Sequence, residues 1–284
     1  MQQAELHAQQ IEVWNGDVGA YWVVQQQRLD KVLQPVAAAT LVLAAPQSGE
    51  RVLDIGCGCG ATTLMLADAV GTEGMVTGLD ISAPMLGRAR ERSMGRGQID
   101  WILADASSHE FTPGAFDLLF SRFGVMFFGD PVAAFRNLLT GMRKGGRLVF
   151  CCWRSLSENP WMQLPLQAAL EHVPPPPRPG PDDPGPFSFA SQDRIRWILA
   201  HSGFAAPKFT PLEVTIDLAN GEGIEAAVQQ ATASGAARRV LEGQPESVRS
   251  AAADSIRVAL MQHARGDNVD LPGAAWLVLS ERPH

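Results

Sequence analysis

RVLDIGCGCG, residues 51–60, joins a short apolar run to a row of alternate glycines. Val52-Leu53-Asp54-Ile55 reads as a strand buried on both faces, as in a parallel sheet. Glycines at 56, 58 and 60 follow, and then Ala61–Ala67, which reads as a helix. Alternate glycines permit a tight turn and let a ligand approach the backbone with no Cβ in the way. The helix start offers free N–H groups and the positive end of its dipole to an acidic group. The stretch is therefore expected to be a cofactor loop at the C-terminal end of a first strand. By itself it leaves two other readings open. Gly56-x-Gly58-x-x-Ala61 also satisfies the dinucleotide fingerprint, and a tight turn can carry no ligand at all.

Downstream, strands and helices alternate. Met75–Asp80 is a second buried strand ending in an acid, about 20 residues beyond the last loop glycine, where a carboxylate can receive ribose hydroxyls. Ser82 suits a helix N-cap with Pro84 in the first turn. Ile99–Leu103, Phe116–Ser121 and Arg147–Trp153 read as further strands, with a helix starting at Asp130-Pro131 before the last of these. This rhythm predicts an α/β fold with a doubly wound, mostly parallel sheet and right-handed crossovers. Upstream, residues 1–45 look helical and hold Trp14, Trp22 and Tyr21, the single tyrosine of the chain. After Arg154 the expectation is a helix over 159–173, a proline-rich surface loop over 174–186 and a helix over 191–202. Beyond these come a strand over 209–218, two helices within 222–265 broken near 243–245, and a final strand over 274–280. One antiparallel strand would close a sheet of about seven.

The motifs D-I-G-C-G-C-G at 54–60, GLD ending at Asp80, A-D-A at 104–106, FDLLFS at 116–121 and KGGRLVF at 144–150 occur in register. Together they resemble the class I S-adenosylmethionine-dependent methyltransferases, in particular the small-molecule branch of the ubiquinone and menaquinone methyltransferases. The resemblance implies a Rossmann-like fold and S-adenosylmethionine as cofactor. It implies that Asp54 and the backbone of Gly56, Gly58 and Gly60 surround the methionine part. Asp80 would hold the ribose, Ile81 and Met85 would flank the adenine, and Asp105 with Ala106 would meet the adenine amine. Ser121 and Arg122 would sit below the sulfonium. The competing classes are an NAD(P)-dependent oxidoreductase, which Asp80 suits equally, and a non-catalytic cofactor-binding protein on the same fold.

The whole chain, 1–284, is expected to be a single domain. An N-terminal cap (1–45) and a cofactor-binding core (46–153) would be completed by substrate-lid insertions at 154–190 and 219–270. Trp14, Tyr21, Trp22, Trp153, Trp161 and Phe187 are the pocket candidates for a hydrophobic or aromatic small molecule. Histidines 109, 172, 201 and 263 are available as bases, but none lies in a catalytic motif, and the catalytic residue stays unknown. The net charge of −7 argues against a nucleic-acid groove or an anionic membrane surface. The N-terminus shows no signal peptide, and no apolar run suits membrane insertion. The four cysteines, at 57, 59, 151 and 152, form two close groups rather than a disulfide framework. Their C-x-C and C-C spacing is not that of a zinc knuckle, so no metal is expected. A cytoplasmic location follows from these features as an expectation, and a homodimer is left open.

Overall fold

The computed structural model describes residues 2–177, 180 and 183–283. The chain begins with α1 (Gln2–Asn15), α2 (Asp17–Val24) and α3 (Gln26–Ala44). The core follows as β1 (Arg51–Ile55), α4 (Ala61–Val70), β2 (Met75–Asp80), α5 (Ala83–Arg92), β3 (Ile99–Leu103), β4 (Phe116–Arg122), α6 (Pro131–Gly141) and β5 (Met142–Trp153). The second half runs through α7 (Pro160–Ala169), α8 (Gln192–His201), β6 (Lys208–Asp217), α9 (Ile224–Ala233), α10 (Gly235–Leu241) and α11 (Glu246–Met261). It ends with β7 (Ala264–Arg265) and β8 (Asn268–Glu281). Helix starts obey local chemistry. The Ser82 hydroxyl accepts from the Met85 amide, Asp130 accepts from the Ala133 amide, and each helix carries proline in its first turn.

The main sheet has the order β3-β2-β1-β4-β5-β8-β6, with two-residue β7 paired to β8. β8 runs antiparallel to both β5 and β6, while the pairings from β3 through β5 are parallel. Successive strand residues alternate between two apolar clusters. Val52, Leu118, Phe120 and Val149 pack with Leu66, Ala67 and Val70 of α4. Leu53, Leu119, Leu148 and Phe150 pack with Phe135 and Leu138 of α6 and Ile195, Ile198 and Leu199 of α8. A period of two places these clusters on opposite faces, which makes the sheet doubly wound. Among the described residues, no helix is long and apolar enough to cross a membrane.

Several expected boundaries move. β5 starts at Met142 and β8 spans 268–281, because each gains pairing partners that the apolar run alone does not reveal. β8 thereby takes 268–270 from the expected lid insertion. The expected helix over 159–173 is shorter, at Pro160–Ala169. The two helices expected within 222–265 are three, since Ser234, in extended conformation, separates α9 from α10. Positions 178, 179, 181 and 182 of the proline-rich stretch lie outside the described residues.

The chain reverses direction across the sheet between β1 and β4, and there two glycines meet. A Cβ on Gly56 would lie 2.7 Å from the Gly124 Cα, and one on Gly124 would lie 2.8 Å from the Gly56 Cα. Gly56 also has φ +65°, a conformation L side chains rarely adopt. Gly56→Ala is expected to destabilise the protein by more than about 1 kcal/mol. Urea unfolding checks this, and an unchanged midpoint would show that the two loops have room to part.

Candidate functional site

The C-terminal ends of β1 to β4 open into a cavity of about 910 Å³. In open α/β sheets this switch point is where ligands bind. Its floor is the glycine loop. The amides of Gly56 and Cys57 donate to the Leu79 carbonyl at 2.8 and 3.2 Å, tying the loop to β2. The Gly58 amide donates to the Asp80 carboxylate at 2.8 Å, and the Ser82 amide donates to its other oxygen at 2.8 Å. Asp80 is buried and lines the cavity, and each of its oxygens keeps a lone pair free of these amides. Burial pushes its carboxyl above the usual value, against the amides of Ser82, Gly58 and Ile81.

Ile81, Met85, Asp105, Ala106 and Arg122 also line the cavity. Asp105 is held by the Ser107 amide at 2.8 Å and by the Ser107 hydroxyl, and His7 of α1 faces it at 3.4 Å. Three residues of the expected cofactor set are placed otherwise. Gly60 packs against Trp101 and Ala89, where a Cβ would lie 2.7 Å from the Trp101 ring. Ser121 is fully buried and donates to the Ile55 carbonyl at 2.7 Å, tying β4 to β1. Asp54 is fully buried behind the loop, where Thr62 and Thr63 of α4 donate to one of its oxygens at 2.7 and 2.6 Å. Its other oxygen has no hydrogen-bond partner, and neither has the buried Nη1 of Arg122. Burial pushes Asp54 up to about 6, against the two threonines and the charge of Arg122.

The opposite wall is aromatic. Phe123 takes a left-handed conformation, φ 67°, and stacks on Trp153 with ring centroids 4.2 Å apart. Trp161 meets Trp153 edge-on at 5.2 Å. Trp14, Tyr21 and Trp22 line the cavity as expected, whereas Phe187 packs against the core instead. Trp14 meets Phe127 edge-on at 5.0 Å. The N-terminal cap is docked onto the loop after β2. Asn15 bridges the Ile81 carbonyl at 3.0 Å and the Ala83 amide at 2.9 Å, and Ser82 donates to the Trp14 carbonyl at 2.6 Å.

Sequence reasoning passed over His7, Phe123, Gln230 and Arg238, all of which line the cavity. Only the phenylalanine carried a local signal, in the SRFG sequence that ends β4. The others sit on helices α1, α9 and α10, whose rotation about the cavity is set by packing. The four histidines considered as bases lie outside the lining. His172 contacts Ser255, and His201 bonds the Trp197 carbonyl at the end of α8. Cys57 and Cys59 do line the cavity. Burial holds both thiols protonated, with Cys57 well above its usual value and Cys59 pushed up to about 12. Among the described residues, no group of His, Cys, Asp or Glu is placed to hold a metal ion.

Residues 52–146 match a family described as a methyltransferase domain. Aklanonic acid methyltransferase DauC of Streptomyces sp. (strain C5) is 36% identical over 149 residues, covering 49% of this chain and 67% of that protein. Nocamycin O-methyltransferase of Saccharothrix syringae is 34% identical over 119 residues, 40% of this chain and 42% of that one. Ubiquinone/menaquinone biosynthesis C-methyltransferase UbiE of Xylella fastidiosa (strain M23) is 35% identical over 107 residues, 37% of this chain and 42% of that one. The matches thus span under half the length of these last two relatives. Phosphoethanolamine N-methyltransferase 2 of Haemonchus contortus, solved with phosphomonomethylethanolamine and S-adenosylhomocysteine, shares the fold with a TM-score of 0.58 at 16% identity. That likeness covers 96% of this chain and 59% of that one.

Asp54 supplies a pH test of the site. Its folded value of about 6 lies above the ordinary 3.8, so the folded state binds the proton more tightly. The stabilisation from this proton is full below about pH 3.8 and is lost as pH rises through about 6. Stability of the wild type is therefore expected to fall relative to Asp54→Asn across that window. Urea unfolding at stepped pH measures it, and parallel pH profiles would place the Asp54 carboxylate in a polar setting.

Proposed function

Since this chain belongs to the S-adenosylmethionine-dependent methyltransferases, and so transfers a methyl group to a small molecule, we propose that its acceptor is a flat, aromatic, largely hydrophobic compound methylated on oxygen or carbon. One observation carries the reading: a single cavity runs from the glycine loop to the wall of Phe123, Trp153 and Trp161. The names of two of the relatives, an aklanonic acid methyltransferase and a ubiquinone/menaquinone biosynthesis C-methyltransferase, support an aromatic acceptor. They give no support to hydride transfer. A cytoplasmic location belongs to the same proposal, supported by four free cysteines. So does an acceptor other than nucleic acid, supported by the net charge of −7.

The residues present fit the cofactor. In this proposal Asp80 receives the ribose hydroxyls, Ile81 and Met85 flank the adenine, and Asp105 with Ala106 meets its amine. Arg122, which lines the cavity and has an unpartnered Nη1, offers its guanidinium to the carboxylate of the amino-acid end, and the Asp54 carboxyl buried behind the loop favours the ammonium by charge alone. Gly56 and Gly58 let the ligand approach the loop backbone, whereas Gly60 and Ser121 support the loop from outside the cavity. When bound, the cofactor supplies an electrophilic methyl group on a sulfonium. The work left to the protein is to hold the acceptor in line with that methyl and to exclude water. The caps at 1–45, 154–190 and 219–267 act as the lid in this reading. Residues from α1, α2, α7, α9 and α10 enclose the cavity.

Calorimetric titration with S-adenosylmethionine, S-adenosylhomocysteine, NAD and NADP tests the assignment. Saturable binding of the first two alone is expected, and Asp80→Ala should weaken it by about 1–3 kcal/mol through lost charge-assisted hydrogen bonds. Unchanged affinity in the variant would remove Asp80 from the site. Labelled methyl from the cofactor should appear in phenolic or hydroquinone acceptors, and its salt-sensitive transfer to tRNA would overturn the small-molecule reading.

A further inference from the structure

Tyr21 of α2 lines the cavity, and its hydroxyl donates to the Gln230 side chain of α9 at 2.9 Å. Gln230 is 6% exposed and in turn donates to the Ser234 hydroxyl at 3.2 Å. Gln230 and Ser234 line the same cavity, as do Trp22 and Ala231 beside them on the same two helices. A few convergent polar groups in an otherwise apolar wall fix the orientation of a ligand. Arg28 and Arg238 lie close enough to act on the phenol by charge, and Arg238 also lines the cavity. Arg28 is committed elsewhere, to Glu222 and to the carbonyls of Leu218, Ala219 and Ala226. Burial outweighs both arginines and the bonds to Ser234 and Gln230, and it holds the phenol above its ordinary value. The group is thus a protonated donor at neutral pH and no base.

Resting on the aromatic-acceptor reading, we infer that Tyr21, held by Gln230, is the specificity residue that receives a hydroxyl or carbonyl oxygen of the acceptor. The phenol oxygen keeps lone pairs to accept from a ligand hydroxyl while its proton stays on Gln230. It can alternatively turn that proton to a ligand carbonyl, leaving Gln230 to Ser234. An aromatic compound with no oxygen there leaves the phenol bonded to Gln230 but covers its remaining lone pairs without offering them a donor. Sites built to bond a polar group discriminate strongly against analogues that lack it. A mere tie between the N-terminal cap and α9 would make no such distinction.

The test uses matched probes, 2-naphthol and 2-methylnaphthalene, of similar size and differing in hydroxyl against methyl. Binding to the full chain saturated with S-adenosylhomocysteine is read by quenching of tryptophan fluorescence. The wild type should prefer the naphthol by about fivefold to tenfold. Tyr21→Phe should bind both probes within about twofold of each other, with S-adenosylhomocysteine affinity as the check on its fold. Gln230→Leu, which removes the group holding the phenol, gives an independent reading and should also shrink the preference. Equal preference in wild type and both variants would overturn the role of Tyr21 while leaving the aromatic acceptor in place. Failure of both probes to bind the wild type, with S-adenosylhomocysteine bound, would overturn the aromatic reading and this inference with it.

Discussion

The backbone contact between Gly56 and Gly124 sets the geometry on which the cavity depends. Two chain segments can come this close only where neither carries a Cβ, because each added carbon would sit about 2.7 or 2.8 Å from the other glycine's Cα. The contact brings the loop after β1 against the loop after β4. Ser121 reinforces it from inside the sheet through the Ile55 carbonyl. With the two loops locked, Arg122 and Phe123 follow directly at the end of β4 and face the cavity. Phe123 reaches its place on Trp153 through a left-handed backbone. Such a conformation in a non-glycine residue carries a cost, and its position at the cavity fits the tendency of strain to gather at functional sites.

Electrostatics divide the cavity into unlike ends. Near the glycine loop, Asp54, Asp80 and Asp105 lie at three successive strand ends, each oriented by hydroxyls or amides. Burial raises the first two, so their charges are expensive and favour a ligand that brings positive charge or hydroxyl donors. The far end is walled by tryptophan and phenylalanine, with polar groups in the cluster around Tyr21, on Gln26 and Asp30 of α3, and on Arg238, Arg239 and Glu242 at α10. A sulfonium cofactor with a zwitterionic tail suits the first end, and a flat acceptor carrying few polar groups suits the second.

The cap segments are bound to the core by polar atoms and aromatic edges. Asn15 and the Trp14 carbonyl occupy the groups around Ile81–Ala83, and His7 faces Asp105. The same loops are those proposed to hold the nucleoside, so ordering of the cap and filling of the site act on shared atoms. That arrangement explains why residues remote in sequence, Tyr21 and Gln230 being 209 positions apart, meet across one cavity.

Local sequence was enough for the parallel sheet, the glycine loop and the acids at the strand ends. Apolar runs of five or six residues, a punctuating Gly or Asp, and Ser82 or Asp130 as caps are all properties of neighbouring residues, and the folded chain uses them as local chemistry predicts. Local sequence could not say that Asp54 turns behind the loop to Thr62 and Thr63, or that Gly60 and Ser121 support the loop rather than line the cavity. Each of those placements depends on which neighbour across the sheet or the adjacent helix fills the space. The aromatic wall and the polar cluster were legible only as a list of candidates. Phe187 packs against the core outside the cavity, and His7, Phe123, Gln230 and Arg238 line it. Residue type and spacing determine strand, loop and helix. The rotation of each helix against the sheet is decided by packing among segments as far as 209 residues apart, and that rotation selects which side chains face the ligand.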